Sequence, residues 1–170
     1  MSLIHSLIAE IELESSNTEK MLARVPAAEF DWRPHEKSMS LKHLATHVAH
    51  LAQWPGFILK TQFLDFADNN LERPVVNTTE DLLILLQNGT NESVEALKTA
   101  SEQDLEDNWI LRNGEHIIID MPKAAVIRRM ALNHIYHHRA QLGVYLRLLD
   151  VPVPGMYGPS ADDMERRPED

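Results

Sequence analysis

Apolar residues recur along the first 25 positions at Leu3, Ile4, Leu7, Ile8, Ile11, Met21, Leu22 and Val25. This i, i+3, i+4 spacing predicts a long amphipathic helix, with Ser2 placed to cap its first turn. "PAAEFDWRPHEKSMS" carries two prolines and a serine-rich end, and predicts a loop whose Phe30 and Trp32 cover one end of the core. Helical spacing resumes after Ser40 through "LKHLATHVAHLAQWPGFILKTQF". Pro55 is expected to kink this second helix, because proline removes an i→i−4 hydrogen bond and crowds the preceding turn. "DNNLERPVVNTT" reads as a polar connection, after which Thr78 or Thr79 starts a third helix through "EDLLILLQNGTNESVEALKTA". Gly89 weakens that helix without cancelling it.

"NWILRNGEHIIID" breaks the helical period: Asn113-Gly114 sits between two β-rich runs, a hairpin signal. Met121-Pro122 predicts the start of a last helix reaching Leu149, since proline suits a first turn. "VPVPGMYGPSADDMERRPED" is too rich in proline, glycine and charge to predict another regular element. The expected fold is all-α, a four-helix bundle with a small β-hairpin between helices 3 and 4. At 170 residues the chain fits one domain able to bury its own core.

Projection at about 100° per residue shows which polar residues the apolar stripes carry inward. On the last helix Ile127, Ala131, His134, His138, Leu142, Tyr145 and Leu149 fall within roughly 80°, whereas His137 lies about 100° from the centre of that arc. On the second helix the arc centres on Leu44, Val48, Ala52 and Pro55. His47 lies about 90° from it, and His43 and His50 roughly 130° to 150° away. Three inward histidines are costly in an apolar core unless each has a partner. His134 and His138, one turn apart, can offer two nitrogens to one metal ion, and His47 completes a three-histidine set that leaves a coordination position open. The bland reading of a lone H-x3-H is chance in a chain with nine histidines; the inward aim of all three weighs against it. His5, His35, His43, His50 and His137 read as solvated or rim residues, and Trp54 as a boundary packing residue. Gln141 and Tyr145 are either satisfied core polars or groups that orient a ligand. Arg139 projects away from the core and is expected to pair with an acidic residue of another element.

Composition removes several alternatives. Acidic residues outnumber basic ones 26 to 16, for a net charge of −10, and no basic stripe forms, so nucleic acids and anionic membrane surfaces are poor partners. The absence of cysteine excludes disulfides, iron–sulfur clusters and a thiolate from the chain itself. "MSLIHSLIAEIELE" turns acidic before reaching signal-peptide length, and no apolar run could span a bilayer, so a cytoplasmic protein is expected. No HExxH, Walker loop, G-x-S-x-G or dinucleotide fingerprint is present.

"DWRPHEKSMSLKHLATHVAHLAQW" and "NHIYHHRAQLGVYLRLLDVPVPGMYGPSADD" together resemble the DinB family of DinB/YfiT-like metalloenzymes. The most specific parts are a W-x-P before a Ser-capped helix with a histidine seven residues ahead of a tryptophan, and H-x3-H-R-x-Q followed by Y-G-P-S. The likeness runs to about Asp163, which implies one domain over 1–163 and a flexible tail over 164–170. It implies a four-helix bundle, often homodimeric, holding a divalent metal on His47, His134 and His138. Zinc or nickel is expected first, with iron and manganese as further fits. It also implies a transferase or isomerase acting on a small-molecule substrate with a low-molecular-weight thiol such as bacillithiol, mycothiol or glutathione. Metal-dependent hydrolysis and a non-enzymatic, stress-related metal-binding role are the alternatives. Ala140 departs from the family, where glycine is common between the arginine and the glutamine.

Overall fold

A computed structural model of the chain describes residues 2–68 and 74–165. Helix α1 (Leu3–Leu22) starts at Ser2, whose hydroxyl accepts from the His5 backbone N–H. Ser40 serves α2 (Leu41–His50) in the same way through His43. A 3-10 turn, Leu51–Gln53, joins α2 to α3 (Trp54–Lys60), with Pro55 in the first turn of α3. Helix α4 (Thr79–Thr99) opens on a reciprocal cap in which Thr78 and Asp81 satisfy each other's backbone N–H groups. The last long helical unit comprises α6 (Lys123–Val126), a π-helical segment Ile127–Leu132, and α7 (Asn133–Leu148).

The fold is mostly helical, as expected, but its boundaries differ from the sequence reading in four places. The second helix stops at Lys60, and Phe63–Asp65 forms strand β1 instead of a final helical turn. This strand pairs in parallel with β2 (Asn108–Asn113), which pairs antiparallel with β3 (His116–Pro122), so the expected hairpin is part of a three-stranded sheet. Parallel neighbours require a crossover, and α4 lies within it. Asp65 Oδ1 accepts from the backbone N–H groups of Gly114 and Ala67, which clamps the short strand to the hairpin turn. The turn itself is shifted by one residue: Asn113 pairs with His116, and Gly114 takes the positive φ of 59° that glycine tolerates. Met121 and Pro122 belong to β3, so the last helix begins at Lys123.

Two short helices also stand where none was predicted. Helix α5 (Glu102–Glu106) and helix α8 (Ala161–Glu165) lie in the connection after α4 and in the proline-rich C-terminal stretch. The expected tail over 164–170 therefore begins with two helical residues, and 166–170 lie outside the described residues, as do 69–73 of the polar connection.

The helices bury two apolar clusters. One gathers Leu22, Leu41, Leu44, Val48, Leu82, Leu142 and Leu146 between α1, α2, α4 and α7, with Phe30 at its edge. Trp32 is only half-buried and meets Tyr145 edge-on at 5.5 Å. The other cluster centres on Trp109, with Leu7, Ile58, Leu97, Leu105 and Ile127.

The break between α2 and α3 has a specific chemical cause. In an unbroken helix the Gly56 N–H would bond to the Ala52 carbonyl. Here the Ser93 hydroxyl of α4 stands between them, accepting from Gly56 N–H at 3.1 Å and donating to the Ala52 carbonyl at 2.7 Å. Proline opened the ladder and a serine from another helix closes it. The approach is tight: a Cβ on Gly89 would sit 2.8 Å from the Gln53 backbone nitrogen. That contact explains why glycine interrupts an otherwise good helix. Ser93 is fully buried, so Ser93→Ala strands a donor and an acceptor together. Its unfolding free energy, measured by urea denaturation, is expected to fall by about 2–3 kcal/mol.

Candidate metal centre

Helices α2 and α7 pack side by side and bring His47, His134 and His138 to one point. One ligand-capable atom from each can be chosen so that all lie within 4.8 Å of one another, and the Nε2 atoms of His47 and His134 are 3.3 Å apart. Two imidazole nitrogens on one tetrahedral zinc ion, each about 2.0–2.1 Å from it, stand about 3.3 Å apart, so the spacing fits an ion between them. The three rings lie 4.7 to 4.9 Å apart, centroid to centroid. These three histidines could hold a metal ion, and all are partly buried at the surface of the α2–α7 seam.

Their environment favours the neutral, lone-pair-bearing form that a metal needs. Burial, followed by the neighbouring His138, His134, His43 and His50, lowers the His47 pKa to about 4. Burial and His138 lower that of His134, against the Met130 carbonyl that accepts from its ring. Burial lowers that of His138 as well, against its bond to Gln141. For a histidine whose folded pKa is depressed, the stabilisation is fully present above the unfolded value of 6.5 and is lost as pH falls toward 4. Metal-free protein is therefore expected to lose thermal stability between pH 6.5 and 5, with a shallower loss in His47→Gln. Melting curves of the two at matched ionic strength read the difference.

The remaining sequence candidates separate cleanly. His137 is exposed and meets the ring of His138, 4.8 Å away, while His5, His35 and His43 are exposed. His50, expected at the rim, is half-buried, and its Nε2 lies 2.7 Å from the Gln53 amide nitrogen. Trp54 packs against Phe57, as a boundary residue should. Tyr145 donates to the Met39 carbonyl at 3.3 Å, and Gln141 is the one of the pair that reaches the site.

The helical projection misplaced the centre of the last helix. Along α7 the buried residues are Ile135, Arg139, Leu142 and Leu146, so His134 and His138 flank the core face instead of occupying its middle. The cause is the π-helical segment, which spends more residues per turn and shifts the phase of Ile127 and Ala131 relative to everything downstream. Arg139, projected outward, is 3% exposed and makes a buried ion pair with Glu14 of α1 at 2.5 Å. Its expected pairing with another element holds; its expected exposure does not. The same guanidinium donates to Thr18 Oγ1, to the Glu14 carbonyl and to the Tyr157 hydroxyl, which in turn donates to Glu14. The sequence did carry a signal for this: Glu14 falls on the apolar stripe of α1, three residues after Ile11.

The DinB family profile matches residues 1–170. The uncharacterised protein YrdA of Bacillus subtilis (strain 168) is 24% identical over 152 residues, covering 89% of this chain and 86% of that protein. Among solved structures, a DinB-like protein from Bacillus subtilis superposes with a TM-score of 0.69 at 18% identity, covering 89% of this chain and 97% of the other. A mycothiol-dependent maleylpyruvate isomerase superposes with a TM-score of 0.53 at 15% identity, covering 91% of this chain and 63% of the isomerase. No helix among the described residues is long and apolar enough to cross a membrane. With the profile spanning the chain and its fold shared by DinB-like structures, the chain belongs to the DinB family.

Proposed function

We propose that this protein is a divalent-metal-dependent enzyme in which His47, His134 and His138 hold the ion and a low-molecular-weight thiol serves as co-substrate in a transfer or isomerisation. The observation that carries the metal reading is the convergence of three imidazoles from two helices within 4.8 Å, at a spacing that suits zinc or nickel. A divalent ion there supplies Lewis acidity and favours binding of the thiol as its anion. The thiol must come from outside, because the chain has no cysteine. A structural neighbour whose name records dependence on mycothiol supports that choice.

The chain's own residues bind and orient. Three neutral imidazoles fill one side of the site and leave the solvent side of the α2–α7 seam to the thiol and its electrophile. His137 stays outside the ligand set. The substrate is a small molecule rather than a nucleic acid, in keeping with the net charge of −10. The resemblance to the family further supports a single domain over 1–163, a homodimer and a cytoplasmic location.

Adduct formation between a panel of low-molecular-weight thiols and soft electrophiles, with metal-loaded and chelated protein, tests the reading. Thiol consumption that needs the metal and is lost in His47→Ala is the expected result. Turnover of ester or amide substrates without thiol would replace it with hydrolysis. Tight metal binding with no turnover would leave a metal-binding protein.

A further inference from the structure

Metal-ligating histidines usually donate their second ring nitrogen to an acceptor, which fixes both the tautomer and the ring orientation. Among the described residues His138 has such an acceptor. Gln141 Oε1 lies 2.7 Å from His138 Nδ1, one turn further along α7. An amide oxygen only accepts, so Nδ1 carries the proton and Nε2 keeps its lone pair.

We propose that Gln141 is a positioning residue, which holds His138 as its Nδ1–H tautomer and leaves Nε2 with the free lone pair. The purpose of this arrangement rests on the metal reading above; its test does not. Free imidazole side chains prefer the opposite, Nε2–H form, so the tautomer is itself a readout that a purely structural role would not move.

Ring-nitrogen NMR on metal-free protein above pH 7 is expected to show Nδ1–H for His138. Gln141→Ala, a change at an exposed position, should return His138 toward Nε2–H and leave His134 unchanged, while Gln141→Glu should restore His138. Zinc affinity of Gln141→Ala, measured by chelator competition, should fall about 10- to 100-fold. An Nε2–H His138 in the wild type, or a tautomer indifferent to Gln141→Ala, overturns the proposal. If the His138 tautomer responds but wild-type protein binds no metal, the metal reading fails and the positioning role stands. If metal binds and the tautomer does not respond, only the positioning role fails.

Discussion

Arg139→Met is expected to lower the unfolding free energy by about 3–5 kcal/mol. The cost arises mainly in what remains behind. Glu14 is 4% exposed, and without the guanidinium its carboxylate would be buried beside only the Tyr157 hydroxyl. A buried ion pair is costly to break from one side and cheap to replace from both. The double change Glu14→Leu with Arg139→Met should therefore recover much of the loss, and urea denaturation of the two single variants and the double reads this directly. A cost below about 1 kcal/mol for Arg139→Met, or a double variant as unstable as the two losses added, would sink the account. The pair also bears on the site. Arg139 pins α7 against α1 one residue after His138, so it sets the direction in which that ring leaves the helix. A second readout, metal occupancy of the double variant, shows whether a repacked apolar contact holds α7 in the same place.

The second large effect concerns metal content. His47→Ala and His138→Ala, purified in the presence of zinc or nickel, should each lose more than about 100-fold in affinity, because losing only an outer-shell partner already costs 10- to 100-fold. His137→Ala should keep full occupancy, since its ring meets His138 but takes no part in the three-atom cluster. Elemental analysis with chelator competition distinguishes the three. Full occupancy in both ligand variants removes the site, and an emptied His137→Ala means that the ligand register is off by one. Loaded wild-type protein should also melt at a higher temperature than chelated protein, as any ligand bound only by the folded state requires.

Much of this was legible in the chain, and the failures have identifiable sources. Ser2, Ser40 and Thr78 each stand at the start of a long helix and cap it, because a hydroxyl before an amphipathic run has a backbone N–H to satisfy. The i, i+4 pair His134 and His138 meets His47 because a single turn of helix fixes their common side whatever happens upstream. Upstream is where the projection failed: a six-residue π-helical segment leaves no mark in a hydrophobic pattern, so Arg139 was turned to solvent. Strand β1 was hidden for a different reason. Three residues are too few for a period of two to show, and the strand depends on a distant partner, β2, and on Asp65 meeting Gly114 across 49 positions. The two short helices do leave a mark in the sequence. Ser101 with Asp104, and Ser160 with Asp163, both have the S-x-x-D form of a reciprocal cap, and the composition around Ser160 concealed it.

The Ser93 hydroxyl that bridges Ala52 and Gly56 has a consequence for how the protein can open. The segment that carries His47 cannot complete its own backbone bonding; two of its peptide groups are satisfied only while α4 is docked. Helix α2 and helix α3 therefore share one cooperative unit with α4, and a partial unfolding that frees them must expose two buried polar groups as well as the Leu44 and Val48 packing. The side of the molecule that carries the three histidines has no low-energy fluctuation of its own through that route. The hairpin is tied into the same core through Trp109, which packs with Ile58, so local opening that leaves the histidines undisturbed falls to the short helix α8, which buries none of its residues.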